Sequence, residues 1–190
     1  MRYISVDIET TGLNHDTCDI LEFGAVIDDL KCIQPIKSLP KYHCYFLLPN
    51  YIGEPYALSM HSVIFKRIAE KEKGFTYVNP MKFGYSFKQF LIKNGFESKS
   101  DRVTINVAGK NFGAFDLQFL NKKTDLNKHV KIRHKILDPA ILYLKGSDIA
   151  LPGMEDCKLR AGLSKEVAHN AIDDAIDVVK LIRNELKYKF

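Results

Sequence analysis

The sequence predicts an α/β fold, a mixed β-sheet flanked by helices, on three observations. Three apolar, strand-like runs follow one another near the N-terminus with short turns between them, which suits an antiparallel meander because parallel neighbours need crossovers of a dozen or more residues. Strand-like and helical patterns then alternate along the rest of the chain. With 190 residues, 46% of them apolar and 27% charged, the chain has the size and composition of one domain with its own core. Coiled coil, collagen and wholesale disorder are excluded.

The first strand is read over residues 3–9, where apolar and polar residues alternate before Thr10-Thr11-Gly12, a turn signal in which Gly12 can take positive φ. Residues 19–28 and 43–48 supply the second and third strands, the latter closed by Pro49. Residues 57–73 read as helical and charged, and residues 85–93 carry apolar positions at the spacing of a helix that packs on a sheet. Residues 103–108 form the fourth expected strand, residues 112–122 a helix entered through a glycine-bearing loop, and residues 135–138 a short fifth strand. A last helix over 171–189 shows Ile172, Ala175, Ile176, Val179, Leu181, Ile182 and Leu186 as its apolar face, with lysines in its last turn to suit the dipole. Residues 122–135 and 145–168 are polar and are expected to be irregular surface connections.

Charge and cysteine usage narrow the class. Twenty-eight Lys and Arg against 23 Asp and Glu leave a net +5, which suits a polyanionic partner without identifying one. The four cysteines, at 18, 32, 44 and 157, form no Cys-x-x-Cys pair and follow no signal-peptide pattern, so reduced thiols and a cytoplasmic location are expected. No apolar run approaches the roughly 18 residues that span a bilayer. The run at 66–73 alternates in sign, the mark of a solvated helix face.

The chemistry is carried by carboxylates. Asp7 and Glu9 stand two apart on a strand, so both leave from one face, at the end of a strand that reads as internal, where ionised groups need partners or cations. Asp116 falls early in the helix after the fourth strand, a position comfortable for an acid. His169 precedes the last helix and Asp174 follows five residues later. Four converging carboxylates would repel by up to about 4 kcal/mol per pair at 4 Å in an effective dielectric of 20, so such a cluster wants divalent metal. An all-oxygen set favours Mg²⁺ or Mn²⁺ over Zn²⁺. Two such ions can hold a phosphodiester and activate water, with a neighbouring histidine as general base.

The order Asp7-x-Glu9, Asp116, His169-x-x-x-x-Asp174 resembles the DEDDh family of 3′→5′ exonucleases, within the superfamily of polymerase proofreading subunits and oligoribonucleases, over almost the whole chain. Its most specific pieces are Val6-Asp7-Ile8-Glu9-Thr10-Thr11-Gly12-Leu13 and His169-Asn170-Ala171-Ile172-Asp173-Asp174-Ala175, with Phe115-Asp116 between. The resemblance implies a ribonuclease H-like fold with a five-stranded mixed sheet. It implies that Asp7, Glu9, Asp116 and Asp174 hold two Mg²⁺ or Mn²⁺ ions, with Asp7 bridging, and that His169 takes the proton from the attacking water. Asp173 is set aside by the family spacing and is expected to have a structural or solvent-facing role. Thr10, Thr11 and Leu13 match positions that line the pocket for the terminal nucleotide, and His61 matches the segment beside the substrate cleft. Phe112 and Phe115 are candidates for stacking on bases.

Asn111, five residues ahead of Asp116, is placed as in the oligoribonuclease branch, and Lys110 is a candidate phosphate contact. The function implied is removal of nucleotides from the free 3′ end of a single strand, as nucleoside 5′-monophosphates. DNA is the expected substrate. The alternatives are an RNA-specific exoribonuclease or oligoribonuclease, and a non-catalytic nucleic-acid-binding module of the same fold. The chain is expected to act alone, to form a homodimer or to dock onto a larger nucleic-acid-processing assembly.

Overall fold

A nine-residue strand, β1 (Arg2–Thr10), runs through the middle of the computed structural model, which describes residues 1–99, 101–164 and 170–186. It continues into β2 (Ile20–Asp29) and β3 (Lys41–Phe46), and these three pair antiparallel through connections spanning residues 11–19 and 30–40. Then follow α1 (Pro55–Met60), α2 (Ser62–Glu70), β4 (Tyr77–Val78), α3 (Pro80–Lys93), β5 (Ser98–Lys99), β6 (Arg102–Ile105) and β7 (Val107–Ala108). The C-terminal half adds α4 (Asp116–Lys123), α5 (Leu126–His129), β8 (Val130–Ile132), α6 (Pro139–Leu142), α7 (Met154–Arg160) and α8 (Ala171–Leu186). The main sheet has five strands in the order β4-β3-β2-β1-β7, with β4 and β7 parallel to their neighbours, and a smaller sheet has the order β5-β6-β8.

The alternation of β1 sorts its side chains between two layers. Ile4, Val6 and Ile8 join Phe23, Ala25 and Ile27 of β2 in a core closed by Phe83, Phe87 and Leu91 of α3 and Phe119 and Leu120 of α4. Tyr3, Ser5, Asp7 and Glu9 face the other way. On that side Tyr3 packs with Ala175, Val178, Val179 and Ile182 of α8, and the Ser5 hydroxyl donates to the Ala175 carbonyl at 2.7 Å. Farther along α8, Arg183 grips Asp28 of β2 with two nitrogens, Nε at 3.1 Å, while the Tyr3 hydroxyl donates to the same carboxylate at 2.7 Å. Lys158 of α7 pairs with Asp177 of α8, a second buried ion pair. These contacts fix α8 along the sheet.

Several expectations are corrected. The run at 103–108 is two strands: the Asn106 side chain donates to the Arg2 carbonyl at 3.0 Å while Ile4 donates to the Asn106 carbonyl at 3.0 Å, so β6 leaves for the small sheet and β7 stays beside β1. Residues 135–138 form no strand, only a single parallel bridge from Leu137 to Ala108, and the fifth strand of the main sheet is β4 instead. The helix read over 57–73 is two helices broken at His61, which has φ −92° and ψ 23°. The connections expected to be irregular contain β8 and α7. Gly12 does take positive φ, 159°, and space also requires glycine: a Cβ there would lie 2.6 Å from Cys18 Sγ. All four cysteines carry free thiols. No helix among the described residues is long and apolar enough to cross a membrane.

Candidate active site

Asp7 and Glu9 project from the last turn of alternation in β1 toward the first turn of α8. Directly across the ladder, Glu9 faces Glu22 and Asp7 faces Gly24. Gly24 is what lets the helix in: a Cβ at that position would lie 2.3 Å from the Ala171 carbonyl carbon and 2.5 Å from the Ile172 nitrogen. The Ala171 backbone N–H donates to Glu22 Oε2 at 3.3 Å, so a strand carboxylate caps the helix start. The result brings Asp174 down on the strand pair, and oxygens of Asp7, Glu9 and Asp174 all lie within 4.8 Å of one another. Asp173, the next residue on the helix, is exposed.

Asp116 reaches the same place from the sheet edge and is not among those three. It is 4% exposed at the start of α4, and its Oδ1 accepts the Ile8 backbone N–H at 3.1 Å. The loop before it is shaped by Asn111, at φ 56°, whose carbonyl accepts the N–H groups of Ala114 and Phe115 at 3.1 Å. The Asn111 N–H is held by Asp138 Oδ2 at 2.8 Å, and its side chain is exposed. His61, 3% exposed at the break between α1 and α2, places Nε2 3.4 Å from Glu9 Oε2. His169 lies outside the described residues.

Crowding these acids together resists their ionisation. Burial, then the charges of Asp116, Glu9, Asp174 and Glu22, push the Asp7 carboxyl well above the usual carboxylate range. Burial, then Asp174, Glu22 and Asp116, raise Glu9 to about 8. Burial raises Asp116 to about 7, against the backbone N–H groups, its own and that of Ile8, that favour its charged form. An all-oxygen donor set of concentrated, mutually repelling charge fits a hard divalent cation such as Mg²⁺ or Mn²⁺.

The remaining candidates separate into exposed and buried. Thr10 donates its hydroxyl to the Gly12 carbonyl at 2.8 Å, and the fully buried Thr11 hydroxyl is engaged by Ile52 and Asp19, so neither hydroxyl is presented outward. Leu13 is 76% exposed, as a side chain awaiting a base would be. Phe112 is 1% exposed within the core, which removes it as a stacking platform, and Phe115 is half-buried against the same core, 5.1 Å from the Phe119 ring centroid. The sequence reading missed two residues that hold the site together. Glu22 and its hydrogen-bonded partner His43 brace the helix start. Tyr56, 77% exposed on α1, follows two residues after Glu54, whose carboxylate accepts the Leu13 N–H at 3.3 Å.

No protein-family model matches the chain, and no curated protein matches its sequence. Its fold does match solved structures. A zinc-bound complex of E. coli ExoI with ssDNA superposes with a TM-score of 0.61 at 15% identity, over 99% of this chain and 40% of that one. E. coli exonuclease I in complex with a dT13 oligonucleotide gives 0.61 at 16% identity, over 100% and 42%, and a further exonuclease I structure gives 0.63 at 16%, over 98% and 41%. The chain therefore spans about two fifths of the length of the proteins it resembles. The class established is the α/β one, a mixed five-stranded sheet flanked by helices, of the ribonuclease H-like kind seen in those exonucleases.

Proposed function

We propose that the protein is a divalent-metal-dependent 3′→5′ exonuclease that removes nucleoside 5′-monophosphates from the free 3′ end of single-stranded DNA. One observation carries the reading: oxygens of Asp7, Glu9 and Asp174, from two distant parts of the chain, lie within 4.8 Å of one another where burial and mutual repulsion oppose their charge. The likeness to ExoI structures that hold ssDNA supports the choice of substrate.

Asp7, Glu9, Asp116 and Asp174 would hold two Mg²⁺ or Mn²⁺ ions. Ions so held supply charge neutralisation for the phosphodiester and acidify a water. The chain's own residues do the rest. His169 accepts the proton of the attacking water, His61 orients the Glu9 carboxylate, and Glu22 holds the N-terminus of α8 so that Asp174 stays in register. Leu13 and Tyr56, both exposed, take the terminal bases. Phe115 and the exposed Asn111 side chain, on the loop before Asp116, would contact the strand, with Lys110 next in the chain for phosphate.

The test is hydrolysis of a 5′-labelled oligonucleotide ladder with Mg²⁺, run in parallel on matched DNA and RNA and on 3′-phosphate-blocked controls. The reading expects stepwise shortening from an unblocked 3′ end that stops on chelation and is lost in Asp7→Ala. Wild-type rates in Asp7→Ala or Asp174→Asn would overturn the assignment of the acids. Preference for RNA would replace the substrate and keep the chemistry. His169→Ala at wild-type rate would remove the base.

A further inference from the structure

We propose that a basic groove along β8, remote from the carboxylates, is a second contact surface for the phosphate backbone of the polynucleotide, an inference that rests on the substrate class proposed above. The groove encloses about 860 Å³ and is lined by Met1, Asn106, Lys131, Arg133, His134 and Lys135 over an apolar floor of Ile136 and Leu137. A second hollow of about 340 Å³ shares Lys131 and His134 and extends the surface to Arg102 and to Asn121 of α4.

Its charge is one-sided. Residues 128–135, Lys-His-Val-Lys-Ile-Arg-His-Lys, contain no acid. Among the described residues the ion pairs of lysine and arginine engage Arg67, Lys122, Lys123, Lys158, Arg160, Lys180 and Arg183, and none engages Lys131, Arg133 or Lys135; at the groove's far end the Met1 amino group pairs with Asp29 at 3.5 Å. Those three side chains and His134 are exposed. Lysine on an edge strand can serve only to discourage pairing with another sheet, and β8 is an edge of the small sheet. That account covers Lys131 alone, since Arg133, His134 and Lys135 follow the strand and line a concave surface. Cations over an apolar floor suit a chain that offers phosphates and base faces together, which an acidic peptide does not.

Position sets the length dependence. Met1 lines the groove and Asp7 lies six residues along the strand, about 20 Å at 3.3 Å per residue. An extended single strand advances about 6 Å per nucleotide, roughly twice the 3.4 Å rise per strand of a stacked duplex, so the span is about three phosphate steps. An oligomer shorter than this cannot occupy both places.

Binding is read on metal-free protein, so that hydrolysis plays no part, by fluorescence anisotropy of labelled dT20 and dT2 across a salt series. For Lys131→Ala/Arg133→Ala we expect about tenfold weaker binding of dT20, a salt slope shallower by about 1.4 if each cation meets one phosphate, and unchanged binding of dT2. Lys135→Glu, beyond the strand, provides a second variant, and equal melting temperatures establish that the fold is kept. Unchanged dT20 affinity and slope overturn the groove, as does equal loss for dT2 and dT20, or competition by poly-glutamate as strong as by unlabelled dT20 at equal charge. If the groove falls while wild type still degrades DNA with Mg²⁺, the nuclease reading stands. If the length-dependent binding holds and no hydrolysis is found, the groove stands and the nuclease reading falls.

Discussion

Glu22 of β2 accepts the Ala171 N–H of α8 at 3.3 Å, although the two residues are 149 apart in the chain, and Gly24, two residues along the strand, leaves no room for a side chain beneath Ala171. This pairing sets the height of α8 above the sheet, and with it the reach of Asp174. A methyl group at Gly24 must lift the helix or distort the strand. Overpacking of this kind costs about 1–3 kcal/mol, and each kcal/mol lowers Tm by about 2–4 °C in a domain of this size. Gly24→Ala should therefore lower Tm by several degrees and, assayed well below that Tm, lose most hydrolysis. Glu22→Gln keeps an acceptor for Ala171 and should retain far more activity than Glu22→Ala. Equal rates in the two variants would separate Glu22 from the helix start.

Without metal, the acids make the protein's stability fall with pH. Glu9 titrates at about 8 and Asp116 at about 7 in the folded chain, both above their ordinary values. The folded state therefore binds these protons more tightly than the unfolded state does. Their contribution to stability is fully present below pH 4 and is lost as pH rises toward 8. Thermal melts in chelator should show Tm falling across that window from these groups. Millimolar Mg²⁺ or Mn²⁺ should restore it at pH 8 and do little at pH 5, where protons compete for the same oxygens. A metal-induced shift of equal size at both pH values would place the ions elsewhere.

Asp7→Asn separates function from stability. The carboxylate is opposed by Asp116, Glu9, Asp174 and Glu22, so a neutral isostere relieves repulsion while removing a metal ligand. The variant should melt several degrees higher than wild type in chelator at pH 8 and should gain little from added metal. Its kcat/KM on DNA should fall at least about 10³-fold, equivalent to about 4 kcal/mol. Differential scanning calorimetry and an initial-rate assay on one preparation check both halves.

The parts legible in sequence were those written in local spacing. Asp7 and Glu9 share a face because strands alternate, and the three apolar runs in succession do pair antiparallel. The fold class followed from these. What sequence did not carry was the choice between partners. Residues 103–108 alternate as a strand must, but the side chain of Asn106 on the Arg2 carbonyl divides them between two sheets, a contact 104 residues distant. The apolar periodicity of 57–73 continues through His61, whose role as the joint between α1 and α2, against Glu9, depends on burial that no local pattern states. Glu22 looks like any acid in an apolar strand until the start of α8 arrives over it. Aromatic identity is equally silent about which ring the core needs: Phe112, a stacking candidate, lies in the core, and the exposed Tyr56 carried no local mark.

The contrast between these two rings gives a test with opposite outcomes. Phe112 is 1% exposed and belongs to the core beside Val6 and Gly109, whereas Tyr56 is 77% exposed on α1, two residues after Glu54, which accepts the Leu13 N–H. Phe112→Ala should cost about 3–5 kcal/mol of stability, the usual price of truncating a core phenylalanine, and should weaken oligonucleotide binding only through unfolding. Tyr56→Ala should leave Tm within about a degree, because an exposed side chain has few contacts to lose. Stacking on a base is worth about 1–3 kcal/mol, so Tyr56→Ala should raise KM for DNA by roughly 5-fold to 150-fold, with Tyr56→Phe retaining most of the affinity because the ring face is kept. Urea melts and steady-state kinetics on the three variants decide it. A Tyr56→Ala enzyme with unchanged KM would return the terminal base to Leu13 alone.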